Sequence, residues 1–345
     1  MLKKLAIAIL ALFSASALFA GSVELIGAGA TFPYPLYNKM FSTYKKDKGT
    51  VVNYQAIGSG GGIQSLISKT VDFAGSDAPM NDKEAKSAKA DVVHVPTCLG
   101  AVVLSYNLPG NPKLKLNADI VAGIYLGKIV KWNDPAIVAE NAGITLPDLP
   151  IVVVRRADSS GTTYTFTDYL SAVSAEWKAK IGVNKSPNWP GTTMGGKGNP
   201  GVAGYVKKTP GAIGYVEIAY AKQNNMVWAS LKNSSGNYFD ADLASIAAAA
   251  DVDLPADTKV SLVDTKSPNG YPICTFTWIL LYKEQAYGGH PQNRAQETVK
   301  LLWWMTHEGQ AINETLDYGK LPPKALAIVE NQIKSVVYNG QPIQK

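Results

Sequence analysis

From residue 151 to residue 170 the chain reads IVVVRRADSSGTTYTFTDYL, and this stretch narrows the choice of fold more than any other. The β-branched apolar run at 151–154 has the composition of a strand buried on both faces, and Arg155 and Arg156 mark its end. Asp158, Ser159 and Ser160 are all helix N-cap types, Gly161 permits close backbone approach, and Tyr164, Phe166, Tyr169 and Leu170 recur at helical spacing from Thr162 onward. Strand, tight turn and helix start together predict an α/β unit. A helix N-terminus leaves four amide N–H groups unpaired and carries about half a positive charge. The Arg156 guanidinium and the hydroxyls of Ser160 and Thr162 beside it would form an oxyanion site, with Asp158 holding the arginine. Ordinary capping uses the same letters, so both readings stay open on this stretch alone.

The pattern recurs near the start of the chain. A short strand at 23–26 leads through Gly27 and Gly29 to Thr31, expected as the cap, and into a helix opened by Pro33 and Pro35, whose apolar face is Leu36, Met40, Phe41 and Tyr44. An alternating strand at 50–57 leads into Gly58, Ser59 and three further glycines, with a short helix expected from Ile63. Glycines before a helix can form a nest of amides for an anion, although flexible turns share the composition. This loop at 58–62 is followed by no Gly-Lys-Ser/Thr at the required spacing and is not a G-x-G-x-x-G fingerprint, which disfavours nucleotide binding there. A strand at 70–74 ends in GSDAP, so Asp77 lies at a strand's C-terminal edge. A carboxylate there suits an anion that carries a proton to donate, and the plain alternative is an Asx turn.

The first 20 residues have Lys3 and Lys4, an apolar run at 5–12 and small residues towards Ala17 and Ala20, the make-up of a secretory signal peptide cleaved near 17–20. No stretch approaches the roughly 20 apolar residues of a membrane span, so a soluble exported protein is expected. The formal charge of +6 falls to +4 without the two leader lysines, and the basic residues are scattered, which disfavours nucleic acid. Roughly 325 remaining residues suggest two domains. Cys98 and Cys274 are the only cysteines, a candidate disulfide in an exported protein or else two buried thiols. With only His94, His290 and His307 beside them, no metal site is expected.

Further along, 92–107 is apolar and extended, 120–125 is helical, and 127–133 reads as a loop around a packed Trp132. A glycine-rich segment contains GGKGN at 195–199, a strand follows at 210–217, a long strand run begins after Gly270, and amphipathic helices at 292–305 and 323–337 close the chain.

Seven segments now carry a resemblance: GAGATFPYPLY from Gly27, IGSGGG from Ile57, VDFAGSDAP from Val71, YLGKIVKW from Tyr125, VRRADSSGT from Val154, GGKGN from Gly195 and PGAIGYVE from Pro210. Together, and in this order, they resemble the periplasmic phosphate-binding proteins of bacterial high-affinity phosphate ABC transporters. The resemblance implies an α/β, two-lobe periplasmic-binding-protein fold of type II, with two chain crossings and the ligand in the interlobe cleft. By similarity, lobe one takes residues 21–105 with 271–345, and lobe two takes 106–270. Phosphate contacts would fall on Thr31, Phe32, Ser59, Asp77, Arg156, Ser160, Gly161 and Thr162, with Asp158 orienting Arg156. Ser159 and Gly60 stand where the family often has Gly and Ser, which bears on loop geometry more than on ligand identity.

The expected function is therefore capture of inorganic phosphate in the periplasm by a monomeric protein without cofactor, for delivery to an inner-membrane ABC permease. The alternative is another tetrahedral oxyanion such as sulfate, arsenate or molybdate, and Asp77 discriminates, because a carboxylate accepts from a phosphate hydroxyl and repels an ion without one. A hydrolase using Ser59 or Ser160 is disfavoured by the absence of a G-x-S-x-G elbow and of a histidine in the glycine loops. Phosphatase chemistry lacks a metal constellation.

Overall fold

The computed structural model describes residues 23–344, and the leader expected at 1–20 lies outside them. The chain starts with three parallel strands and their helices: β1 (Glu24–Gly29), α1 (Tyr34–Lys48), β2 (Val51–Ala56), α2 (Ser59–Ile67), β3 (Phe73–Ser76) and α3 (Asp82–Ala88). β1 lies between β2 and β3, in parallel register with both. β1 and β3 approach so closely that a Cβ on Gly29, which has φ of 147°, would sit 2.0 Å from the Gly75 carbonyl oxygen.

β4 (Val92–Tyr106) is 15 residues long and runs through both halves of the molecule. After it come β5 (Lys115–Leu116), α4 (Ala118–Tyr125), α5 (Pro135–Glu140), β6 (Val152–Arg156), α6 (Gly161–Val173), α7 (Ala175–Lys180), β7 (Met194–Gly196), α8 (Gly198–Lys208), β8 (Ala212–Glu217) and α9 (Ile218–Gln223). Short strands β9 (Val227–Trp228), β10 (Ser230–Lys232), β11 (Tyr238–Phe239) and β12 (Leu262–Val263), with α10 (Leu243–Ala249) among them, lead to β13 (Ile273–Tyr282) and the closing helices α11 (Gln292–Thr306) and α12 (Pro323–Lys334). The main sheet has the order β2-β1-β3-β13-β4-β8-β6-β7. β4 pairs with β13 as far as Ala101 and with β8 from Val102 onward, so one strand passes from the first half of the sheet to the second. Each half has its own aromatic core: Tyr37, Phe41, Tyr54 and Phe73 beside β1–β3, and Tyr125, Phe166, Trp189 and Tyr215 around β6 and β8.

Several local expectations change. β6 begins at Val152 and is half-buried over Val152 and Val153, so it is not enclosed on both faces along its whole length. α2 starts at Ser59, so the glycines form its first turn instead of preceding it. Thr31 does not cap α1, whose N-cap is Pro33 without a side-chain bond, and its hydroxyl is used elsewhere. Cys98 and Cys274 lie on adjacent strands, but both are free and buried. The register pairs Cys98 with Thr277 and Cys274 with Ala101, so the thiols are on opposite faces of the sheet and the disulfide is corrected to two core cysteines.

Candidate functional site

The loops after β1, β2 and β3 meet the start of α6 at one point. Ser59, at the first position of α2, accepts from the Asp77 N–H at 3.2 Å and from the Gly161 N–H at 3.1 Å with the same hydroxyl oxygen. One side chain thus joins two loops of the first half to a helix N-terminus of the second. The Gly60 N–H donates to the Ser159 carbonyl at 3.0 Å beside it. Gly161 is demanded by this approach, since a Cβ there would lie 2.4 Å from Ser59 Oγ and 2.6 Å from Asp77 Oδ2.

Arg156 ends β6 with its side chain only 1% exposed. Its Nε donates to Asp158 Oδ1 at 2.8 Å, its second terminal nitrogen pairs with Asp158 Oδ2, and Nη1 donates to Thr162 Oγ1 at 3.1 Å. Its backbone N–H is fixed by the Tyr215 hydroxyl at 3.0 Å. Ser160 caps α6, accepting the Thr163 N–H at 3.0 Å, so its oxygen completes the helix start on which the positive dipole end is presented. Thr31 and Phe32, in the loop between β1 and α1, are buried in the same region. Their carbonyls accept from the hydroxyls of Tyr220 at 2.6 Å and Tyr318 at 2.7 Å.

The two carboxylates differ in environment. Burial pushes Asp158 upward, but the bonds and charge of Arg156 and the Gly198 N–H outweigh it and hold its carboxyl below the usual range. Asp77 is 2% exposed and burial dominates, raising it from 3.8 to about 7. A hydrogen bond from Thr277 at 2.9 Å, the charge of Arg156 and the Ser59 hydroxyl oppose that rise, and Asp158 adds to it. The site thus offers oriented donors on one side and, on the other, a buried carboxyl that is an acceptor when ionised. Among the described residues no group of three or more His, Cys, Asp or Glu could hold a metal ion.

Sequence reasoning passed over three residues. Asn199 donates through Nδ2 to Thr31 Oγ1 at 2.9 Å and to Thr162 Oγ1 at 3.1 Å, while its Oδ1 accepts the Glu217 N–H at 2.9 Å. It ends the GGKGN run, the one signal that could have flagged it. Thr277 was visible only as one of two threonines in the otherwise apolar β13, and Tyr215, which also pairs with Thr163 Oγ1 at 2.7 Å, only as one aromatic among many.

Two α/β halves joined by a shared strand, with polar loop ends and a helix start converging between them, are the architecture of a solute-binding protein. A family model described as a PBP superfamily domain matches residues 16–306. Within that class the chain belongs to the family of PstS phosphate-binding proteins. It is 43% identical over 331 residues to the phosphate-binding protein PstS of Pasteurella multocida, covering 94% of each chain. It is 42% identical over 322 residues to that of Haemophilus influenzae, covering 92% of this chain and 94% of the other. Among solved structures, a high affinity periplasmic phosphate-binding protein (PfluDING) bound with phosphate matches with a TM-score of 0.70 at 21% identity, over 90% of this chain and 93% of that one. A phosphate-binding protein from Stenotrophomonas maltophilia matches at 0.66 and 17% identity with the same coverage, 90% and 93%. At these identities the structural matches speak for the fold.

Proposed function

We propose that this protein captures inorganic phosphate between its two lobes in the periplasm and delivers it to an inner-membrane ABC permease. It acts as a binding protein without catalytic role, as a monomer and without a cofactor. The single observation that carries the reading is the pairing of an oriented donor set with Asp77, a buried carboxyl set where the loops of the first half meet the start of α6. Thr31, Ser59, Ser160 and Thr162 hydroxyls, the Phe32 and Gly161 amides and the Arg156 guanidinium would donate to phosphate oxygens, with Asp158 fixing the arginine's plane. Asp77 would accept from the ligand's own hydroxyl, which is the chemical distinction between hydrogenphosphate and sulfate.

Lobe one would take the chain up to the change of partner in β4 after Ala101 and again from β13, and lobe two the middle. β12, at Leu262–Val263, pairs with β13, which supports drawing the second crossing earlier than residue 270. The family relationship supports the phosphate assignment and the permease partner. Calorimetric titration of the purified mature protein with phosphate, arsenate and sulfate tests it: tight phosphate binding with weak sulfate binding is expected, and equal affinities would remove the reading.

A further inference from the structure

Glu84 on α3 and Lys185, after α7, are 101 positions apart and lie on different lobes in the division proposed above. The Lys185 ammonium donates to both carboxylate oxygens of Glu84, at 2.5 and 2.6 Å. Their side chains are 20% and 9% exposed, whereas Asp317 and Lys222, which also join the lobes, are 34% and 37% exposed. Neither partner of the first pair is a loose surface chain. Glu84 is fixed by a reciprocal cap, its N–H donating to Asn81 Oδ1 at 2.9 Å and its Oε2 accepting the Asn81 N–H at 2.9 Å. The Lys185 carbonyl accepts the Ser160 N–H at 2.9 Å, so the residue that reaches across to lobe one also ties down the start of α6.

We propose that Glu84 and Lys185 form a closure latch, made when the lobes meet and broken when they part, which slows release of the ligand and holds Ser160 in position. The inference rests on the phosphate reading for its ligand, but the contact itself depends only on the closed arrangement of the lobes. Partial burial and fixed partners remove much of the entropy and screening cost that makes exposed pairs weak. Parting the lobes returns both charges to water, so the pair favours closure without opposing the folding of either lobe.

The test is stopped-flow phosphate release with equilibrium titration on wild type, Glu84→Gln, Lys185→Met and the charge-swapped double variant Glu84→Lys/Lys185→Glu. Each single variant is expected to release phosphate about tenfold faster with little change in association rate, and the swap to recover most of the loss. Melting of the ligand-free single variants should stay at the wild-type value. Release at the wild-type rate, or a swap no better than the singles, would overturn the latch. A wild type that takes up no phosphate would sink the ligand assignment alone, and the latch is then judged by small-angle scattering of the ligand-free proteins. Single variants more open than wild type support it, and superimposable curves overturn it.

Discussion

If Asp77 reads the proton of the ligand, selectivity between phosphate and sulfate must depend on pH in a definite direction. Sulfate carries no proton near neutrality, so it can face Asp77 only when the carboxyl is itself protonated. With that group raised to about 7 by burial, protonation is free of cost below pH 7 and becomes about tenfold rarer, or about 1.4 kcal/mol dearer, with each pH unit above it. Hydrogenphosphate brings its own hydroxyl over the same range. The wild-type phosphate-to-sulfate affinity ratio should therefore rise from pH 7 to 8.5 by roughly 30-fold, and Asp77→Asn, which offers an N–H at every pH, should flatten it and bind sulfate better. The same shift has a stability consequence for the closed, ligand-free protein. Because the folded carboxyl titrates higher than an unfolded one, its stabilising contribution is complete below about pH 4, declines as pH rises, and is lost above about 7. The full difference is on the order of 4 kcal/mol, so Asp77→Asn should melt higher than wild type at pH 8, with the gap shrinking towards pH 4. Competitive titration at pH 6.5, 7.5 and 8.5, with melting curves of both proteins, decides the matter. A wild-type ratio that does not move with pH, or an identical slope in Asp77→Asn, would refute the reasoning.

Gly161→Ala should lower phosphate affinity at least tenfold by titration while leaving circular dichroism and melting intact, because the added Cβ would lie 2.4 Å from Ser59 Oγ and block closure without touching either lobe's core. Arg156→Ala should weaken phosphate binding by about 1.5–3 kcal/mol or more in calorimetry and also lower the melting temperature, since it leaves the Asp158 carboxylate without its partner. Cys98 and Cys274, whose thiols burial raises far above their usual range, should resist a thiol reagent in the native protein and both react once it is denatured without reductant. A single labelled thiol or none in the denatured protein would contradict the register.

The alternating strand, glycine turn and helix start made the α/β class legible, because each is a local consequence of residue type. The approach to Asp77 was legible as well, since a carboxylate at the end of an apolar strand stands out in any reading. The parts that escaped are those set by distance along the chain. Nothing local in β13 says that Thr277 faces Asp77 200 residues away, or that Asn199 spans Thr31 and Thr162. The cysteines failed for a related reason: neighbouring strands could be inferred, but a register offset of an odd number of residues turns one thiol to the opposite face. Capping letters misled at Thr31, where a hydroxyl suited to a helix start is engaged by Asn199 instead.

The charges around the proposed site also explain how a multiply charged anion can be held selectively. Arg156 is already neutralised by Asp158, and Asp77 adds negative charge when ionised, so simple positive potential cannot be the attraction. What remains is direction. The N–H groups at the start of α6, the hydroxyls of Ser59, Thr31 and Thr162 and the guanidinium's fixed plane are held by the rest of the fold, through Tyr215 on Arg156, Asn199 on both threonines, and Tyr220 and Tyr318 on the first loop. Dipoles fixed in a dry cleft keep their full strength against a nearby anion, where mobile charges of equal number would attract any anion alike. A buried carboxyl among them then acts as a filter, since its unfavourable charge is relieved only by a ligand that presents a hydrogen at that position.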